Sequence, residues 1–264
     1  DTEDKIHAKH QNPNLKIASI GISGENLCRF ACIMNDRDRA AGRSGVGAVM
    51  GSKNLKAIAA YGTVGTKVAN PAAFRAANEA ARADKVNVKA AHTPRRSDGR
   101  ANLQANKACF ACSIGCGRIA TIDPEHFSIK DKPRYKTSMG GLEYESIYAV
   151  GPMCGVDDID AATYASALCN EHGMDPISFG VSVAAAMDLY KAGAITKEHT
   201  GGMALEFGSA EALCWAAEVV GTATGFGKDI GLGAKRLCEK YGHPEMTMVV
   251  KGQEFPGYDP RAMQ

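Results

Sequence analysis

The stretch "NKACFACSIGCGR" at residues 106–118 places Cys109, Cys112 and Cys116 within eight positions. A C-x2-C-x3-C run holds three soft thiolates on one tight turn. That is close enough to ligate three corners of a cubane iron–sulfur cluster or to give zinc three ligands. The small residues Ser113, Gly115 and Gly117 let backbone N–H groups approach the sulfurs. Radical-SAM spacing runs the other way, C-x3-C-x2-C, so that chemistry is disfavoured. Spacing alone does not choose between iron–sulfur and zinc, and the competing reading is a set of buried structural thiols. Any fold of this chain has to present or bury that turn as a unit.

The chain has nine cysteines, an odd number that argues against a complete disulfide framework in 264 residues and points to a reducing, cytoplasmic setting. Cys154, Cys169, Cys214 and Cys238 are candidates for a fourth ligand, but the last three sit at core-facing helical positions. Cys28 and Cys32, four apart, lie among Leu27, Phe30 and Ile33, which favours packing over chelation. A hydrophobic content of 45% supports the core of one large or two modest domains. The net charge of +2 is spread over mixed signs with no basic block, so nucleic acid and anionic lipid are not expected partners. No apolar run approaches the roughly 20 residues that cross a bilayer, and "DTEDKIHAKHQNPNLK" lacks a basic-then-apolar leader, so the chain reads as soluble with no membrane association.

Periodicity places "LKIASIGI" as a strand, "GENLCRFACIMNDRDRAA" as a helix, "GRSGVGAVMGSKN" as a glycine-rich connection and "LKAIAAYGT" as a second strand. "NPAAFRAANEAARAD" reads as a helix with Pro71 in its first turn, and residues 85–107 as a linker. Helices follow in "DDIDAATYASALCNEHG", started by Asp157 or Asp158 and ended by Gly173, and in "PISFGVSVAAAMDLYKAG", "GSAEALCWAAEVVGTATG" and "GKDIGLGAKRLCEKYG". The predicted fold class is mainly α with a small β-containing N-terminal part. No internal repeat or low-complexity tract is present.

Three further motifs carry chemistry. "NEHGMD" puts Asn170, Gly173, Met174 and Asp175 at a helix end. A carboxylate such as Asp175 can accept from ring N–H groups while amides near Gly173 donate, which suits a pterin edge. The plain alternative is a helix C-cap followed by a new N-cap. In "RAAGRSGVGAVMGSK", Gly42, Gly45, Gly47 and Gly51 permit close backbone approach to a phosphate, and Arg39, Arg43 and Lys53 offset its charge. Ser52 stands where a Walker A loop needs Lys, and a basic turn is the alternative. "GLEYES" sets Glu143 and Glu145 around Tyr144, carboxylates able to move protons beside a metal centre, or simply surface residues. His172 and His243 read as helix-end residues whose imidazolium suits the dipole.

Five blocks, "GENLCRFACIMNDRDRAAGRSGVGAVMGSKNLKAI", "CFACSIGCGR", "GLEYESIYAVGPMCGVDD", "LCNEHGMDPIS" and "KGQEFPGYDPR", together resemble the tungsten-containing aldehyde:ferredoxin oxidoreductase family in order and across nearly the whole chain. The resemblance is to an internal part of a longer protein, shortened around residues 85–107. It implies that residues 1–66 end a β-rich N-terminal pterin-binding domain. Residues 67–264 would then form the helical middle domain carrying the cysteine cluster and one pterin loop. It implies a bis-pterin tungsten (or molybdenum) cofactor, Mg2+ as a further candidate ion, and a [4Fe-4S] cluster on Cys109, Cys112 and Cys116, with the fourth cysteine in a C-terminal domain past this chain. By the same resemblance Arg39, Arg43, Asn170, Gly173, Met174 and Asp175 bind cofactor and Glu145 is catalytic. Asn170 departs from the Asp usual at its position.

The activity implied is oxidation of an aldehyde to a carboxylic acid in anaerobic metabolism. Electrons would pass to ferredoxin or an iron–sulfur partner subunit, within an oligomer. Two other readings stand beside it: the catalytic subunit of a class II benzoyl-CoA reductase, and a non-enzymatic iron–sulfur or zinc-stabilised helical module. The pterin-type loop has no task in the latter.

Overall fold

The computed structural model describes residues 2–35, 37–83, 102–109, 112, 115–137 and 139–258. After α1 (Thr2–His10), the first part alternates β1 (Lys16–Ile20), α2 (Ile22–Glu25), β2 (Ile33–Asn35), β3 (Arg39–Ala40), α3 (Val46–Ser52) and β4 (Ala57–Ala60). The strands form an antiparallel sheet in the order β3-β2-β1-β4, with Ala18 opposite Asn35 on one side and Ile58 on the other.

Two expectations fail here for physical reasons. The predicted helix over "GENLCRFACIMNDRDRAA" survives only as α2, because the backbone after it is claimed by distant partners. The N–H of Arg29 donates to Gly231 O at 2.9 Å, that of Cys32 to Gly173 O at 2.6 Å, and Phe30 O accepts from the N–H of Asp175 at 3.0 Å. The apolar period was real all the same: Cys28, Phe30, Ala31 and Cys32 are all buried. The predicted glycine-rich connection contains α3, whose glycines serve packing. A Cβ on Gly51 would collide with Gly24 O, and one on Gly47 would come within 2.5 Å of Cys32 O.

Beyond α4 (Pro71–Ala83), which begins at the expected proline, residues 85–101 of the predicted linker lie outside the described residues. Its end is not linker: β5 (Leu103–Lys107) pairs with β6 (Gly117–Ala120), and β6 with β7 (Met139–Gly140), in a second antiparallel sheet. Strand structure is therefore not confined to the N-terminal part.

The helical part comprises α5 (Tyr144–Val150), α6 (Ile159–His172), α7 (Pro176–Lys191), α8 (Lys197–Thr200), α9 (Ala210–Thr222), α10 (Gly227–Ile230) and α11 (Ala234–Lys240), followed by the hairpin β8 (Val249–Val250) and β9 (Gln253–Glu254). Asp158 caps α6 by accepting from the N–H groups of Asp160 and Ala161 at 3.0 and 2.9 Å, and Gly173 ends it with φ +73°, a conformation costly for other residues. Helix α7 is buried from Ser178 to Met187 and again at Leu189, packing against α5, α9 and α11, as expected of a helix apolar on all sides. The segment predicted as one helix over "GKDIGLGAKRLCEKYG" is two, α10 and α11, interrupted at Gly231–Gly233.

Candidate cofactor and redox site

The loop between β5 and β6 carries the three clustered thiols. The N–H of Cys112 donates to Cys109 O at 3.0 Å, closing a turn, and Arg118 Nη1 donates to Cys116 O at 2.5 Å. Cys109 and Cys116 are exposed and Cys112 is half-buried, whereas Cys28, Cys32, Cys154, Cys169, Cys214 and Cys238 are all buried. Burial pushes those thiols up, to about 12 for Cys28, Cys32, Cys154 and Cys214 and about 11 for Cys238, and Cys169 well above its usual value. Buried, protonated thiols are poor ligands, which leaves the hairpin trio as the donor set. Among the described residues no three Cys, His, Asp or Glu side chains converge on a metal-sized point. The hairpin thus offers soft donors suited to iron–sulfur or zinc, without a closed cage.

Arg39, on β3, lies against the base of this hairpin. Its Nη1 bonds Glu143, its Nη2 stands 3.8 Å from Asp38 Oδ2, and the guanidinium fills the space a Cβ on Gly117 would need. Lys107 Nζ donates to both oxygens of Asp38 at 2.9 and 3.1 Å. Burial, then the Glu143 charge, raise the Cys116 thiol against the opposing pull of Arg39. Arg39 Nε is buried with no hydrogen-bond partner among the described residues.

The loop after α6 divides its residues between two surroundings. Asn170 lines a cavity of about 1160 Å³ walled by β1, β2, β6, β7 and the end of α6, which also takes in Asp38, Lys107 and Gly140. A cavity of that size is at the upper end of those that hold cofactors. Past Asn170 the chain turns into the core. Gly173 O accepts from the N–H of Cys32 and the hydroxyl of Ser23, the latter at 2.9 Å, and Met174 is buried. Asp175, 2% exposed, caps α7 through the N–H of Ile177 at 3.0 Å and accepts from Ser178 Oγ at 2.8 Å and Arg43 Nε at 2.6 Å. Arg43 Nη2 also donates to Ser178 Oγ at 3.0 Å. The structure therefore brings Arg43 to Asp175, and Arg39 to the cysteine hairpin, while Arg43 and Arg39 serve different neighbourhoods.

Glu145 stands apart, in the first turn of α5. Its Oε2 accepts from the N–H of Gly257 at 2.7 Å, and its Oε1 is buried with no partner among the described residues. Burial first, and the Glu145 charge second, raise the Tyr148 phenol beside it. Gly257 escaped the sequence reading as a site residue; its only trace was membership of the block "KGQEFPGYDPR". Burial lowers the pKa of His172, which disfavours the imidazolium expected at this helix end, and its Nδ1 lies against Gly221 with no hydrogen-bond partner among the described residues.

A profile for domains 2 and 3 of aldehyde ferredoxin oxidoreductase matches residues 41–264, and one for its N-terminal domain matches residues 1–62. The chain belongs to the aldehyde ferredoxin oxidoreductase family. It is 37% identical, over an alignment 301 positions long, to the tungsten-containing aldehyde ferredoxin oxidoreductase of Pyrococcus furiosus, and 35% identical, over an alignment of the same length, to that of Thermococcus kodakarensis. Each alignment covers all of this chain and 48% of the relative. The chain thus spans about half the length of these family members. A WOR-like subunit of an aliphatic sulfonate oxidoreductase from Pyrococcus furiosus is 28% identical over 84% of the chain. The solved active-site complex of benzoyl coenzyme A reductase with 1,5-dienoyl-CoA superposes with a TM-score of 0.78 at 18% identity, over 96% of this chain and 44% of that one, which shows a common fold. Among the described residues no helix is long and apolar enough to cross a membrane.

Proposed function

We propose that this chain is the cluster-bearing part of a tungsten enzyme that oxidises aldehydes to carboxylic acids. The observation that carries the reading is the segregation of its thiols: of nine cysteines, the two exposed and the one half-buried are the trio on the β5–β6 hairpin, against which Arg39 lies. The pterin-bound metal would supply two-electron oxidation chemistry when bound, with a [4Fe-4S] cluster as the electron outlet.

Cys109, Cys112 and Cys116 would hold three corners of the cluster as thiolates. Asn170, which lines the large cavity, has both a donor and an acceptor for a pterin edge, and Arg39 would stand by the cluster hairpin. Asp175 fixes the loop that follows Asn170 and holds Arg43, so we assign this pair to shaping the pterin loop, with Gly173 and Met174 as its packed support. Arg43 would meet cofactor phosphate through whatever part of its guanidinium Asp175 leaves available, and Mg2+, where present, would take oxygen ligands rather than this cation.

Conversion of an aldehyde and water to a carboxylic acid releases two electrons and two protons. Glu145 Oε1, buried with no partner among the described residues, is a group suited to take one of those protons. Electrons would leave to ferredoxin or to an iron–sulfur partner subunit in a cytoplasmic, oligomeric enzyme.

Anaerobic reconstitution with iron and sulfide, followed by analysis of Fe, Zn and W together, tests the reading. Uptake of iron and sulfide with a broad visible thiolate charge-transfer absorption is the expected result. Stoichiometric zinc with no iron uptake would overturn it.

A further inference from the structure

Resting on the reading of Glu145 as a proton-transfer group, we infer that the segment Glu254–Tyr258 is a strap that positions its carboxylate, with the Gly257 amide as the positioning group. The two residues are 112 apart in sequence, and the 2.7 Å contact from the Gly257 N–H takes only one carboxylate oxygen. The oxygens are thereby made unequal: Oε2 is held and Oε1 is left buried without a partner.

The strap is fixed at both ends. At one, Glu254 is 4% exposed, and its Oε1 accepts from the N–H of Ala234 at 2.9 Å, capping α11 at a point where Gly233 has no side chain to do so. At the other, the ring of Tyr258 lies 5.3 Å from that of Tyr144, the residue before Glu145. Between them Gly257 rests on Tyr148, one turn beyond Glu145 on α5, so closely that a Cβ would come within 2.6 Å of the Tyr148 ring. The same helix therefore supplies both the carboxylate and the surface that sets the height of the amide above it. No ion pair includes Glu145 among the described residues. A single amide orients a carboxylate through one oxygen, without the bidentate grip of a guanidinium.

Two measurements decide the matter. In the chain itself, amide hydrogen exchange at Gly257 should be slow, about 10-fold or more faster in Glu145→Ala, and still protected in Glu145→Gln, whose side-chain oxygen accepts the same bond. Equally fast exchange in the unmodified chain and in Glu145→Ala overturns the strap. In the tungsten-loaded full-length enzyme, Gly257 is replaced by glycolate, an ester that removes the N–H and keeps the shape. This should lower kcat about 10–100-fold, the value of one hydrogen bond to a charged group, at unchanged KM and metal content. If Glu145→Gln abolishes turnover while the ester leaves kcat within about twofold, the strap inference fails and the role of Glu145 stands. If Glu145→Gln itself turns over normally, the reading of Glu145 falls and the inference falls with it.

Discussion

Arg43 and Asp175, 132 residues apart, meet in an ion pair of 2.6 Å that joins the loop before α3 to the N-terminus of α7. The carboxylate is 2% exposed and the guanidinium 23%, so removing either partner strands a poorly solvated group, the carboxylate side more severely. Arg43→Ala should cost about 1–3 kcal/mol, since Asp175 keeps the N–H of Ile177 and the hydroxyl of Ser178. Asp175→Ala removes the cap as well and should cost about 3–5 kcal/mol. Urea unfolding of both variants checks this, and an Asp175→Ala cost within about 0.5 kcal/mol of zero would refute a structural role for the pair.

The nine thiols should divide three to six under an alkylating reagent. Cys109, Cys112 and Cys116 should label in the folded chain, and Cys28, Cys32, Cys154, Cys169, Cys214 and Cys238 only after denaturation. Mass spectrometry of timed samples reads the split. Early labelling of Cys154 or Cys169 would contradict the burial that excludes them as ligands.

That split was legible from sequence for five of the six core cysteines, which sit among apolar neighbours, while the trio is set in small residues; Cys154, between Met153 and Gly155, read as a candidate ligand, and only the fold shows it buried. Helix α6 was legible to both ends, since Asp158 and Gly173 act through chemistry local to the chain. The segment 27–35 was not. Its apolar period is that of a helix, but its N–H and C=O groups bond Gly231, Gly173 and Asp175, and no local signal announces partners more than 140 residues away. The strand Leu103–Lys107 was hidden for a similar reason, as "LQANK" is a strand only by virtue of its pairing with β6. At the site, Glu145 came from the family blocks, but its bond to Gly257, like the approach of Arg39 to the cysteine hairpin, exists only in three dimensions.

Stability should fall on mild acidification because of His172. Burial holds its folded-state pKa below the ordinary value, so the unfolded chain binds the proton first. The contribution is intact above about pH 6.5 and is lost as pH falls from there through the folded value. Denaturant titrations between about pH 7.5 and 5 should show this slope, and His172→Gln should flatten it. A second loss follows below about pH 4. Burial opposes it, but the N–H of Ala161 and the His126 side chain hold Asp158 under the usual carboxylate range, and protonation weakens the cap on α6.

In the loaded full-length enzyme, Glu145→Gln should keep metal content and lose turnover by about 10²–10⁴-fold, the usual value of a general base. Gln preserves the shape and the acceptor facing Gly257 while removing the carboxylate proposed to take up a proton. Near-normal turnover with an unchanged pH profile would transfer the role to Glu143 or to a residue beyond this chain.

The three backbone bonds that draw residues 29–32 into the helical part bear on where the molecule can come apart. The profiles for the N-terminal domain and for domains 2 and 3 overlap over residues 41–62, which suggests a seam near that point. The hydrogen bonds run across it: Arg29 to Gly231, Cys32 to Gly173, and Asp175 to Phe30. A chain trimmed of its first sixty residues would expose the carbonyls of Gly173 and Gly231 and the amide of Asp175, and would uncover the apolar surface that Phe30 and Ala31 occupy. The sheet and the helices should therefore unfold together as one cooperative unit, and a shorter piece begun after the sheet would be left without part of its interior.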